Sequence, residues 1–502
     1  MTKKTKVFLW ILGFFFLFFV AVALSVLFGY GPPDIHYNHQ KVTAAEFSRR
    51  FTTTELKSDL DFMMQTLQEV HPDLYYYVPK EEFVAFKAEL EKQLTEPMTR
   101  REFYPFVARL AARLGDGHTS AIYPHEEWKD FVEKDGRVFP FDVDISENGW
   151  RVTHSYSHSN VQPGDWIVTI NQRPVSSLYS DFLQMISGEK LTFKRASIER
   201  RLQLMLWLHG IHPPFHIEFL KENTGQPFQI EVNGVTMKQI RTQRQNRGGK
   251  QKKYYTYRLL EENIGYIDFR SMRDLKAFEK FLKQTFEQMH ETGVRGLIVD
   301  LRKNGGGSTT LGRALLSYIT DKPYRFVARM EWKVSRQLKQ HLRNFLPAWV
   351  RWLPLQYVHP MGRKIWTTPE GEIAVWQSEP ERPPANPLRF EGPVCVLIGP
   401  STFSSAMKLA NAIADFDLAT LIGEETGGNP NAFGESYIFD LPNTWLQVTV
   451  STKRFVRANG DAASRGGVMP HIKIEQSVED LTKGVDTTLE FAKKWILQQI
   501  TK

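Results

Sequence analysis

The chain has 502 residues, is 42% hydrophobic and 24% charged, and carries a formal net charge of +8. That balance excludes a disordered polypeptide, and the length exceeds what one core ordinarily serves, so two or three domains are expected. Its one cysteine, Cys395, lies inside the apolar run VCVLIG, which excludes an internal disulfide framework and marks it as a packing residue.

Residues 1–6 (MTKKTK) carry three lysines, and Val7 to Phe28 then runs without a charge. At about 1.5 Å per residue that run can cross a ~30 Å hydrocarbon layer. It is longer than the roughly 7–15 apolar residues of a cleavable signal peptide. Its A-x-A, Ala21-Val22-Ala23, lies within the run and not beyond it. The expectation is a single transmembrane signal anchor at 7–28, with 1–6 cytoplasmic and the rest of the chain on the extracytoplasmic side of the cell membrane. Residues 29–53, opening GYGPPDIHYNHQK, read as a linker.

Residues 54–120 have helical periodicity. ELKSDLDFMMQTLQEV sets Leu56, Leu60, Met63, Met64 and Leu67 on one face, and Pro72 follows its end. EEFVAFKAELEKQL and RREFYPFVARLAARL supply two more helices of an N-terminal helical lobe. Residues 136–240 change to short strands, with PFHIEFL and PFQIEV among them. There VQPGDWIVTINQRPV places a Pro-Gly-Asp turn before a strand and a second turn at Asn171-Gln172, a pattern that resembles the PDZ signature. PDZ domains take an extended peptide as an added strand.

Arg241 to Arg258 holds only basic charges and reads as a solvated hairpin turning at Arg247-Gly248-Gly249; the functional alternative is an anionic surface such as lipid or wall polymer. No nucleic-acid motif accompanies it, so no nucleic-acid partner is expected. In residues 255–478 strands alternate with helices, which predicts an α/β core with a mostly parallel sheet. IGYIDF, GLIVDL, VCVLIG, LATLIG and TWLQVTVSTKRFV are its strands, interrupted by a Trp- and Arg-rich insertion near 324–387. Residues 479–502 read as a C-terminal helix.

Three stretches carry possible chemistry. In IGPSTFSSAMKLANAIADF a buried strand turns into a helix whose stripe is Ala406, Leu409, Ala410 and Ile413, which puts Ser404 at the helix N-terminus. Unpaired N–H groups and the positive end of the dipole favour negative charge there, whether Ser404 is a nucleophile or merely the cap. DLRKNGGGS sets three glycines between a strand and a helix, where backbone N–H groups can approach a ligand closely; it lacks the lysine and spacing of a phosphate loop. RLGDGHTSAIY places His118 after a Gly-Asp-Gly turn. No H-E-x-x-H helix occurs and His209-x-x-His212 lacks further ligands, so neither metal nor cofactor is expected.

Taken in order with MTRREFYPFVARLAARLGDGHTS, LIGEETGG and GGVMPHIKI, these stretches resemble the C-terminal-processing (tail-specific) serine protease family and its tricorn-like branch. The resemblance implies a crotonase-like core, a PDZ-like β-rich insert and a helical N-terminal lobe. It implies Ser404 as nucleophile, the N–H of Ser405 as one oxyanion donor and a glycine of Gly305-Gly306 as the other. The processing branch uses a lysine base 25 residues after the serine, where this chain has Asn429, an amide without usable basicity. The tricorn-like branch uses a histidine, and its position matches His118, which can take the serine proton and return it to the leaving amine. Glu435 is the favoured residue to orient His118, with Asp461 and Asp116 as alternatives. Met407 and His471 stand where the family usually has acids. The expected function is a membrane-anchored serine peptidase that cleaves peptides or unfolded protein segments through an acyl-enzyme; its oligomeric state is open. The alternatives are a non-proteolytic binder of a peptide or apolar ligand, and an envelope scaffold.

Overall fold

The computed structural model describes residues 42–146, 149–157, 160–246, 253–344, 346, 355–477, 480 and 484–501. The helical lobe begins with Thr53–Val70, whose buried face is Leu56, Leu60, Met63, Met64 and Leu67, as the periodicity predicts. Capping boxes at Thr52/Glu55 and Thr99/Glu102 start this helix and Arg100–Arg113. Between them lies Lys80–Gln93.

The β-rich region forms an antiparallel sheet in the order Phe141–Ser146, Gly149–Ser155, Trp166–Ile170, Phe215–Leu220, Pro227–Val232. Helices Val175–Met185, Leu191–Arg200 and Leu202–Leu208 interrupt it. Its inward residues, among them Phe141, Trp150, Ile167 and Phe219, share one continuous apolar core with the helical lobe.

The α/β core is a six-stranded sheet. Tyr255–Leu260 is its antiparallel edge, followed in parallel by Ile264–Phe269, Gly296–Asp300, Val394–Ile398, Thr420–Gly423 and Ile472–Lys473. The central strands read as unbroken apolar runs because helices cover both faces. Leu275–Glu291, Thr309–Ser317 and Ser405–Asp415 pack on one side and Thr487–Ile500 on the other.

A second sheet joins the lobes, with Gln447–Val456 at its centre between Phe433–Asp440, Arg329–Lys333 and the short strand Ser120–Ile122. The insertion contributes Arg329–Lys333 and Ile373–Gln377 as paired strands. Trp332 is buried there, while Trp349 and Trp352 lie outside the described residues.

The expected single-pass membrane placement is corrected. No helix of the described residues is long and apolar enough to cross a membrane. Val7–Phe28, on which that expectation rested, lies outside them, as does the hairpin turn expected at Arg247-Gly248-Gly249.

Candidate active site

The strand Val394–Ile398 ends beneath a turn, and the helix Ser405–Asp415 starts above it. Ser404 forms the corner with φ 53° and ψ −123°, a backbone that residues with a Cβ rarely adopt. Its side chain makes no capping bond to its own helix. Instead its Oγ lies 3.0 Å from His118 Nε2, across a chain separation of 286 residues. A serine that only capped the helix would turn inward to an N–H; this one turns out to an imidazole.

His118 is delivered by the second sheet. Strand Ser120–Ile122 pairs antiparallel with Gln447–Val456, Ser120 opposite Thr449. The His118 carbonyl accepts bonds from Thr449 Oγ1 at 2.9 Å and Ser436 Oγ at 3.1 Å. Its ring stacks on Phe403, with centroids 4.9 Å apart, and Phe403 stacks in turn on Phe193 at 4.3 Å. Gly117 is required here, since a Cβ at that position would stand 2.6 Å from the Phe403 ring.

The carboxylate beneath His118 is Asp116. It is 1% exposed and accepts bonds from Thr119 Oγ1 and Ser451 Oγ, each 2.6 Å, and from the His118 N–H at 2.9 Å. His71 Nε2 approaches it at 3.3 Å. Because His71 Nδ1 accepts from the Asp73 N–H, the His71 proton sits on Nε2 and points at Asp116. Burial raises the Asp116 pKa, yet the His71 bond and the nearby charges and hydroxyls outweigh it and hold the carboxyl well below its usual range. Asp116 Oδ1 lies 4.0 Å from His118 Nδ1, a nitrogen that is buried and has no hydrogen-bond partner. That carboxylate favours the tautomer with the proton on Nδ1, which leaves Nε2 free to accept from Ser404. Burial lowers the His118 pKa, Asp116 opposes this, and Lys408 adds to it, so the ring is neutral near pH 7.

Glu435 is not the residue that orients His118. It lies beside the Gly434–Lys453 cross-strand pair, and its left-handed backbone (φ 56°) turns the carboxylate into an ion pair with Lys453. Asp461 builds a surface turn, accepting from the Ala463 N–H. Asn429 is fully buried and accepts from the Asn431 N–H. His471 accepts from the Leu421 N–H, and Met407 packs in the core, so both departures from the family pattern are structural here.

The N–H of Ser405 opens the helix beside Ser404, and Ser405 Oγ is anchored to the Gly307 carbonyl at 2.6 Å. Gly306 (φ 100°) backs directly onto the serine, where a Cβ would stand 2.8 Å from Ser404 Cβ. Its N–H is donated to Asn304 Oδ1 at 2.9 Å, so Gly306 is not the free donor that the sequence suggested. Gly305 faces open space. The site opens into a cleft of about 930 Å³ lined by His118, Ser404, Ser405, Lys408, Glu435 and Lys453, with Phe326, Met330 and Trp376 on its wall. Lys408 and Lys453 escaped sequence reading, although Lys408 sits one turn after Ser404 on the same helix face.

Residues 263–474 match the model of peptidase family S41. A protein of Chlamydia trachomatis serovar D is 27% identical over 254 residues, covering 44% of this chain and 41% of the relative. An uncharacterised protein of Chlamydia muridarum is 24% identical over 291 residues, 49% and 47% of the two chains. The chain thus aligns with less than half the length of these curated relatives. Among solved structures, mature CPAF superposes with a TM-score of 0.63 at 18% identity, over 89% of this chain and 98% of that one. At that identity the likeness is one of fold.

Proposed function

We propose that this chain, which belongs to peptidase family S41, is a serine peptidase cleaving peptides or unfolded protein segments through an acyl-enzyme. The observation that carries the reading is the 3.0 Å contact between Ser404 Oγ and His118 Nε2 at the mouth of an open cleft. Ser404 attacks the scissile carbonyl while His118 Nε2 takes its proton, and the imidazolium then protonates the leaving amine. Water, activated by the same nitrogen, releases the acyl group. Charge on the carbonyl oxygen falls at the N-terminus of the helix, before the Ser405 N–H, with Gly305 supplying the second donor. Asp116 holds the His118 loop and stabilises the imidazolium.

The parallel sheet with its covering helices is read as crotonase-like. Residues 136–240 are read as PDZ-like, taking an extended stretch of substrate at a sheet edge. A second reading, a peptide binder that has lost proteolysis, draws on the unpartnered Nδ1 of His118.

The test compares wild type, Ser404→Ala and His118→Ala for fluorophosphonate labelling and for cleavage of an unstructured peptide library. Loss of both signals in each variant, with folding intact, is expected. A folded wild type that neither labels nor cleaves would leave the binder reading standing.

A further inference from the structure

The cations lining the cleft are nearly all committed. Lys453 is paired with Glu435. Arg313 lies 3.8 Å from Glu381. Arg325 donates to the carbonyls of Ala458 and Ser378, at 2.7 and 2.8 Å. Lys408 differs: among the described residues it has no acidic partner. Its Nζ rests over the Phe455 ring, 3.0 Å from the centroid, at the floor of the cleft. The helix that positions it also carries Ser404 one turn earlier, on the same face, so the amine stands beside the reacting centre.

A half-buried lysine without a counter-charge is costly unless something else supplies the anion. The protein's uncommitted acid in this cleft, Glu379, sits at its exposed rim. We infer that Lys408 forms a subsite for a substrate carboxylate close to the scissile bond. The inference rests on the peptidase reading of the same cleft and adds the chemical class of substrate it selects. Burial, with Lys453 as a second contributor, draws the Lys408 pKa well below that of a free lysine. A carboxylate arriving beside the amine opposes that shift and favours its charged form. The titratable groups facing it are His118, Lys453 and, through Lys453, Glu435.

The carboxylate has two possible sources, an acidic side chain or a free C-terminus, and one set of peptides separates them. Full-length Ser404→Ala protein is titrated by fluorescence anisotropy with peptides that differ only in Asp or Glu against Asn or Gln, and in a terminal carboxylate against a carboxamide. Using this variant makes the result independent of whether the wild type cleaves. One acid–amide pair should differ in Kd by roughly tenfold or more, as a charge-assisted bond to a half-buried lysine implies. The ratio should fall towards one when Lys408→Met is added and persist with Lys408→Arg. In wild type the same pair should differ in kcat/KM. Equal binding of every acid–amide pair, or a preference that survives Lys408→Met in folded protein, would overturn the subsite. Failure of wild type to label with fluorophosphonate would overturn only the peptidase reading.

Discussion

Replacing Asp116 with asparagine asks whether the carboxylate beneath His118 acts on the chemistry or only on the fold. Asp116 Oδ1 lies 4.0 Å from His118 Nδ1. At that distance, with an effective dielectric near 20, a carboxylate stabilises an imidazolium by about 4 kcal/mol. In the proposed mechanism the imidazolium exists only after His118 has taken the Ser404 proton, so Asp116→Asn removes stabilisation from the transition state. At about 1.4 kcal/mol per factor of ten, the ceiling is roughly a 10³-fold loss in kcat/KM, and 10²- to 10³-fold is expected. The same carboxylate acts on the resting enzyme with a separable sign. In that mechanism the base form of His118 is the active one, so activity rises as pH climbs through its pKa, which burial holds below the ordinary value. Asp116 raises that pKa, so without it the acidic limb moves to lower pH while the plateau drops. The assay is kcat/KM on an unstructured peptide between about pH 4 and pH 8, with a urea midpoint to confirm folding. A plateau within about threefold of wild type, or a limb displaced to higher pH, would refute the reasoning.

Two further predictions concern the frame around the site. Glu189 accepts weakly from the Gly117 N–H at 3.5 Å and leaves Oε2 buried without a partner; burial, then the Asp116 charge, pushes its carboxyl up to about 8. The unfolded carboxyl ionises near pH 4.3 while the folded one keeps its proton to about 8, so its contribution to stability falls as pH rises through that window. Glu189→Gln should therefore gain about 1–4 kcal/mol over wild type between roughly pH 5 and pH 8 by urea unfolding; a gap that does not change with pH would exclude this. Asp59, fully buried in the helix Thr53–Val70, accepts from the N–H groups of Asn443 and Thr444 at 2.9 Å, from Asn443 Nδ2 at 2.9 Å and from Thr444 Oγ1 at 2.6 Å. Asp59→Ala strands those donors and should cost about 3–5 kcal/mol; a loss below about 1 kcal/mol would show that the clamp between the lobes is weak.

Much of the frame is legible in the sequence because burial writes it there. The unbroken apolar runs IGYIDF, GLIVDL and VCVLIG are strands covered on both faces, and the period of Ala406, Leu409, Ala410 and Ile413 gives the helix after Ser404. The glycines of NGGGS signal a close backbone approach, and Gly306 makes it. What the sequence hides is set by pairing across long separations. Glu435 looks like a free acid until Lys453 is seen beside it on the neighbouring strand. Asp116 looks like a turn residue, and it is one, but its second role depends on His71 and Ser451, which lie far along the chain on either side. Lys408 reads as a polar position on an amphipathic helix until Phe455 closes over its amine.

The proposed reactive pair, His118 and Ser404, is separated by 286 residues. Among the described residues strand Ser120–Ile122 pairs only with Gln447–Val456, so the His118 loop acquires its seat only after those later residues have been made. A ribosome delivers the histidine early, the serine late and the strand that unites them later still. Under the proposed mechanism translation order serves as a safety catch: a nascent chain that has not reached Gln447 carries Ser404 and His118 but lacks the strand that seats the histidine.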